Sequence, residues 1–471
     1  MLARKIALNT IISGAARVIG TLLALVAIGL TTRYLTKTEW GEYSIMLTFG
    51  SIFAVLADGG FYQLLVREIS RPGADEAKVA SNIFTMKLFI SFFIFALAPL
   101  VSIFFPYSTQ ACWGIAVGIV GFWFLSGSQV FMGIFQKYLR MDRAAIAELV
   151  GRLVQLVLIW LFIRWQLGFL WIVATLTLGG LVNFILIYQM AQKHLRVTWR
   201  FDFDFWRESF KQSYPLAISG ILVMIYFSFG SLILSVFRPV AEVGIYRLAY
   251  KVLESLIFFP SMFVGLIMPI LSSAAFDDWA RFKNILQKGY DVLMIFALPL
   301  VLGTPFVAGQ TIKLLGGGLY PESIPVLNIL IVAVGIIFFG TLFSFGLIAL
   351  GRQKSLLWIS AAGAVINLLL NFILIPRYSY TAAAIITVGT ELLVTILMAV
   401  AIWRTIHYLP GSRVALKSLL AALVMAAALW FIGSHNLLIL LAVAAVVYFG
   451  VLYLVKGISV SEVRALIKKS A

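Results

Sequence analysis

Residues 324–350 read IPVLNILIVAVGIIFFGTLFSFGLIAL, with no charged side chain from end to end. A helix rises 1.5 Å per residue, so about 20 apolar residues match the hydrocarbon core of a bilayer, and this run is longer than that. The rest of the chain offers nothing with which to cover such a helix in water. It is 62% hydrophobic and 12% charged, with a mean hydropathy of +1.03, whereas a soluble domain is roughly 45 to 50% apolar and about 25% charged. The chain is therefore expected to lie in lipid.

Working outward from 324–350, similar runs occur near 11–32, 43–65, 82–105, 111–135, 144–163, 167–190, 214–237, 246–271, 290–308, 355–375, 380–402, 415–432 and 436–455, which makes fourteen in all. Backbone donors in hydrocarbon must be satisfied within the segment or around a closed barrel, and continuous runs of this length lack the alternation of barrel strands. The expected fold is all-α and polytopic. Arg4 and Lys5 before the first run resemble the start of a signal peptide, but the run passes into Thr31-Thr32-Arg33 without a small-residue cleavage pattern, so it reads as a retained span.

The cations supply an independent check of this count, because a missed or spurious span would scramble the loop parity. With the N-terminus inside, 25 of the 36 Lys and Arg fall in one set of loops, and 7 (Arg33, Lys37, Arg164, Arg238, Arg247, Lys313 and Arg377) fall in the other. Both termini are expected to be cytoplasmic. The net charge of +17 is dispersed between apolar runs and does not form a stripe with stacking aromatics, which argues against nucleic acid. Cys112 stands alone, so no internal disulfide can form.

A polar stretch near 191–213, with Lys193, Arg196, Arg200, Asp202 and Arg207 among Trp199, Phe201, Phe203 and Trp206, divides the chain. It reads as an interfacial linker, where aromatic rings and basic heads are both stabilised. The expected organisation is a six-helix bundle over 1–190, the linker, a second six-helix bundle over 214–403, and two further helices with a basic tail over 404–471. The halves echo each other weakly: Trp40-Gly41-Glu42-Tyr43 opens the second span and Val243-Gly244-Ile245-Tyr246 the eighth. Six spans per half is an even number, so the halves should be related by a pseudo-two-fold axis along the membrane normal.

Ionisable groups inside spans cost about 2.5 to 3.5 kcal/mol on insertion scales and call for a partner or a hydrated space. The cations left inside spans are Arg17, Lys87, Arg152 and Lys251, and the acids are Asp58, Glu148, Glu254, Glu391 and, at an interface, Asp291. Glu148 and Arg152 are four residues apart and Lys251 and Glu254 three apart, so each pair can share a helix face as a self-compensating ion pair. Arg17, Lys87 and Asp58 have no local partner, and the two cations lie near enough to an edge to snorkel. If these groups converge, the four cations suit a phosphate or pyrophosphate headgroup, and the four acids Asp58, Glu148, Glu254 and Glu391 line the same space or couple an ion.

Walker, His-Glu-x-x-His and Gly-x-Ser-x-Gly patterns are all lacking, and the 3 histidines, His194, His407 and His435, lie in loops without ligand neighbours. No enzymatic chemistry, metal or cofactor is expected. Gly316-Gly317-Gly318 reads as a turn, and Gly114 and Gly118 as a close helix approach.

Arg33-Tyr34-Leu35, Trp40-Gly41-Glu42-Tyr43, Asp58-Gly59-Gly60 and Leu65-Val66-Arg67-Glu68-Ile69 resemble the opening of the polysaccharide-export flippases, the Wzx-like branch of the multidrug/oligosaccharidyl-lipid/polysaccharide (MOP) superfamily. Val243 to Lys251, Gly351-Arg352-Gln353-Lys354, Asn367, Asn371, Ile375-Pro376-Arg377-Tyr378 and Thr390-Glu391 are similar to the same family. The resemblance implies two bundles around a V-shaped cavity and two extra C-terminal helices. It also implies alternating access for an undecaprenyl-pyrophosphate-linked oligosaccharide, Na+ or H+ as a candidate driving ion, and polysaccharide-assembly enzymes as candidate partners. Relatives often carry an Arg and an Asp in the seventh span, where this chain reads Tyr226-Phe227-Ser228-Phe229-Gly230. The competing expectations are a MATE-like multidrug antiporter, which should favour an acidic pocket, and a membrane-embedded glycan polymerase or ligase, which should carry a large outer loop.

Overall fold

A computed structural model describes residues 2–71, 73–138, 140–433 and 436–457, and the side chains of these except 2–13, 214–216, 218–220, 222–223, 225–227 and 276–277. His435 and the tail cations Arg464, Lys468 and Lys469 lie outside the described residues, as do the side chains of Arg4, Lys5, Tyr226 and Phe227. Among the described residues every regular element is a helix. The chain divides into two compact units, Met1–Gly244 and Ile245–Ala471.

The first unit contains α1 (Leu2–Tyr34), α2 (Lys37–Asp58), α3 (Phe61–Ile69), α4 (Glu76–Ser102), α5 (Thr109–Lys137), α6 (Met141–Arg164), α7 (Phe169–Gln192), α8 (Phe203–Phe237) and the start of α9 (Val240–Leu256). The second holds the rest of α9, α10 (Phe258–Asp277), α11 (Trp279–Gly316), α12 (Ser323–Ala349), α13 (Gln353–Ile406), α14 (Arg413–Ile432) and α15 (Leu437–Leu454). Twelve helical stretches among the described residues are long and apolar enough to cross a membrane. The α13 stretch spans two sequence runs that meet at Ser379, where φ is 54° and ψ −141°. With α13 taken as two legs and α8 included, the helices account for the fourteen runs.

Helix ends follow capping chemistry more closely than hydropathy. Thr36 and Glu39 form a reciprocal box at the start of α2, with Glu39 N donating to Thr36 Oγ1 at 3.2 Å and Thr36 N donating to Glu39 Oε2 at 2.9 Å. Asp202 accepts from Phe205 N at 3.1 Å and Asp278 from Arg281 N at 2.9 Å. These caps start α8 and α11 about ten residues before their apolar runs, because a carboxylate at an N-terminus satisfies orphan donors and complements the positive end of the helix dipole. The bond from Phe205 and the Lys78 ammonium at 3.2 Å hold the Asp202 carboxyl below its ordinary range.

In the first unit α5 is central, packing against α2, α4 and α7. Its Phe131, Ile134 and Phe135 are fully buried against Phe61, Leu65 and Phe84. Gly114 and Gly118 of α5 receive the Phe169 ring and the Met46 side chain. The motif echo read from the sequence is a direct contact: Trp40 Nε1 donates to the Gly244 carbonyl at 3.1 Å. A Cβ on Gly41 would lie 2.1 Å from the Val240 carbonyl oxygen, and one on Gly244 would lie 3.1 Å from Gly41 N. In the second unit α12 packs on α11 and α13, and α14 and α15 pack on α11. Met425, Leu429, Leu440 and Leu452 are buried there, and Tyr448 Oη donates to the Ile295 carbonyl at 2.7 Å.

Gly41→Ala should destabilise the protein by about 1 to 3 kcal/mol, the usual range for overpacking. The melting temperature of the detergent-purified protein should therefore fall. Gly265→Ala, inside α10 where a Cβ meets nothing within 4 Å, should not lower it, since alanine favours a helix interior over glycine.

Candidate functional site

The second apolar run does not cross as one helix. Asp58 is the last residue of α2, and Gly59 and Gly60 follow with φ of 51° and 77°, in the left-handed region that only glycine enters without strain. Each helix end created by the break leaves backbone groups outside the regular ladder. A carboxylate at the C-terminus of α2 also opposes the helix dipole, so this position needs a cation. Lys87 of α4 supplies it: its Nζ donates to Asp58 Oδ1 at 2.6 Å and to Gln129 Oε1 of α5 at 2.7 Å. Lys87 is 0% exposed, whereas the Asp58 side chain is 24% exposed. At the second residue of α3, Tyr62 Oη donates to Gln136 Oε1 at 2.5 Å. Lys87 does not snorkel; the ammonium is held inside the bundle, because α4 turns it toward a partner 29 residues back in the sequence.

A second cluster joins α1 and α6. Arg152 and Glu148 form the pair expected from their spacing, at 2.8 Å, with side chains 39% and 49% exposed. Arg152 Nη1 also donates to the Gly20 carbonyl of α1 at 3.3 Å. Arg17 is exposed on α1, three residues before that contact.

A third cluster lies on α9. Arg247, assigned above to a loop, is instead inside the helix, because α9 starts right after Pro239 and carries the chain on from there. Glu254 pairs with Lys251 at 2.7 Å and with Arg247 at 3.4 Å. The spacing Arg247, Lys251, Glu254 keeps all three on one face, so helical periodicity could have found the triad had the helix start been placed correctly. Just beyond it, α9 gives way to α10 at Ile257.

Glu391 stands on the second leg of α13, 7% exposed, in a polar layer buried between the two legs. Asn367 Nδ2 donates to Thr390 Oγ1 at 3.0 Å and Asn371 Nδ2 to Asn367 Oδ1 at 2.8 Å. Asn371 Oδ1 and Thr395 Oγ1 are buried without a hydrogen-bond partner among the described residues, and Thr395 Oγ1 faces Gly340 of α12. Asp291 lies on α11 and accepts from Gln287 Nε2 at 2.9 Å. Among the described residues no group of three or more His, Cys, Asp or Glu could hold a metal ion.

A helical membrane protein crossing the bilayer many times, with charged groups paired at the breaks and faces of its spans, is the class these features define. The chain belongs to the polysaccharide biosynthesis protein family, whose model matches residues 6–276. A curated relative, the probable flippase AglR of Haloferax volcanii, is 26% identical over 218 residues, or 45% of either chain, so the match spans less than half of that relative. Among solved structures, the lipid II flippase MurJ in an inward closed conformation superposes with a TM-score of 0.77 at 14% identity, over 94% of this chain and 98% of that one. A MATE transporter in complex with MaD3S gives 0.58 at 16% identity, over 86% and 96%. A MOP-superfamily transporter from Pyrococcus furiosus gives 0.58 at 15% identity, over 86% and 95%. At these identities the likeness is one of fold.

Removing one partner of a buried pair costs about 3 to 5 kcal/mol, because the other charge is left uncompensated. Asp58→Asn strands a fully buried ammonium, whereas Lys87→Met leaves a carboxylate with some exposure. Asp58→Asn should therefore lower the melting temperature more than Lys87→Met, and the double variant should recover much of the loss. Thermal unfolding of the three purified variants measures this order.

Proposed function

We propose that this protein is a flippase that moves a lipid-linked oligosaccharide, carried on undecaprenyl pyrophosphate, across the plasma membrane by alternating access. The observation that carries the reading is that a chain from the polysaccharide family keeps Arg152 and Lys251 inside its spans with part of each side chain exposed. The Lys87 ammonium is fully buried against Asp58, whereas Arg152 pairs with Glu148, and Lys251 and Arg247 both pair with Glu254. A guanidinium or ammonium with exposed surface in a span favours an anionic cargo over a cationic drug. Arg17, Arg152 and Lys251 have exposed surface with which to meet a pyrophosphate. Lys87, with Asp58 and Gln129 already as acceptors, serves by holding the break in the second span.

In reconstituted vesicles bearing a fluorescent pyrophosphate-linked saccharide, Arg17→Gln, Arg152→Gln and Lys251→Gln combined should slow protection of the fluorophore at least tenfold at unchanged melting temperature. Undiminished flipping would remove the headgroup assignment. Drug export from a pump-deficient host without saccharide flipping would favour the MATE-like reading instead.

Coupling to Na+ or H+ is assigned to Glu391, on the support of its burial (7% exposed) next in sequence to Thr390, which accepts from Asn367 of the other leg of α13. Glu391→Gln should abolish any acceleration of flipping by a sodium or proton gradient while sparing flipping without a gradient. Both termini are proposed to lie in the cytoplasm, with the cation parity as support. Cysteines replacing Lys283 and Lys313 should therefore react with an impermeant maleimide from the inner and outer faces respectively.

A further inference from the structure

Residues 196–202, between α7 and α8, form no helix and run along α4, with Asp202 extended. The backbone N–H groups of Thr198, Arg200 and Asp202 donate to Ser81 Oγ at 3.0 Å, Thr85 Oγ1 at 3.0 Å and Asn82 Oδ1 at 3.1 Å. Those three acceptors are buried side chains of α4. Gln192 brackets the start of the segment, accepting from Val197 N at 3.1 Å and donating to the Val197 carbonyl at 2.6 Å. Every second amide is thus pinned inward, as in a strand whose partner is a row of helix side chains. Trp199 and Phe201 are 59% and 55% exposed, and both pack against the ring of Phe89.

Beneath Trp199 lies a groove of about 200 Å³, lined mainly by Phe84, Leu88, Trp123, Phe184, Tyr188 and Trp199. It reaches the surface at Trp199 and Tyr188. Flanking it in sequence are Lys193, Arg196 and Arg200, all exposed, and none of the three side chains pairs with a carboxylate among the described residues. Asp202, the one acid of the segment, is already committed to the α8 cap and to Lys78 at 3.2 Å.

A segment that only connected two helices would need neither an aromatic groove nor a row of buried polar pins holding it beside that groove. We propose that this is a lipid-binding site, in which the acyl chain of an anionic phospholipid from the surrounding bilayer enters the groove and its phosphate is met by Arg196 and Arg200. Charge selects the headgroup, since only an anion compensates the unpaired guanidinium groups. The apolar lining selects an amphiphile over a soluble phosphate, and aromatic rings mixed with basic heads are the composition of the bilayer interface. The site is separate from the charged clusters assigned to the cargo and does not depend on that assignment.

The test uses the full chain in nanodiscs doped with phosphatidylglycerol or phosphatidylcholine bearing the same photoactivatable diazirine in the acyl chain, followed by peptide mapping. Phosphatidylglycerol should label peptides around Phe84–Leu88 and Phe184–Trp199 at least fivefold more than phosphatidylcholine. Arg196→Gln with Arg200→Gln should remove that preference, and Leu88→Trp, which fills the groove, should remove the labelling itself. Labelling of α14 and α15 should stay constant and so report that the variants are folded. Equal labelling by the two lipids, or a phosphatidylglycerol preference that survives the loss of both arginines, overturns the proposal.

Discussion

In hydrocarbon, a backbone N–H or C=O without a partner costs several kcal/mol, and a charge without one costs at least as much. Most of this chain meets that constraint by continuous helix. It departs from the rule at Gly59–Gly60 and at Ser379. Both departures have ionisable or amide side chains close to them: Asp58 with Lys87 and Gln129 at the first, and Asn371 about two turns before the second. The polar side chains are placed where the backbone stops satisfying itself.

Such an arrangement has a mechanical consequence. A helix broken at two left-handed glycines can change direction there at less cost than an unbroken one, because its ladder is already interrupted. The Lys87 ammonium bridges α4 to the end of α2 and to α5, so it couples three helices through one cation. By contrast, the Arg152 and Lys251 pairs each lie mainly along a single helix and retain exposed surface. The two kinds of site therefore differ in work: one fixes geometry, the others present charge.

The sequence made the pairs at 148/152 and 251/254 legible, because an α-helix puts residues three and four apart on one face. The Asp58–Lys87 pair was not legible, since nothing in a linear reading brings α4 to the end of α2. Arg247 was assigned to a loop because hydropathy alone does not see that Pro239 starts a helix early. The linker's role as a strip pinned by Ser81, Asn82 and Thr85 was likewise out of reach, for those three side chains look like ordinary small polar residues near the start of a span.

Hydropathy, loop charge and turn glycines by themselves determined that this is an all-helical membrane protein and how many times its chain crosses, because the solvent imposes length and backbone satisfaction on each span separately. Which charge meets which, where a span breaks, and what the amide row of the linker binds were decided only by the tertiary structure. Those contacts join residues tens of positions apart, and their geometry depends on how whole helices rotate and slide against one another, which local sequence does not encode.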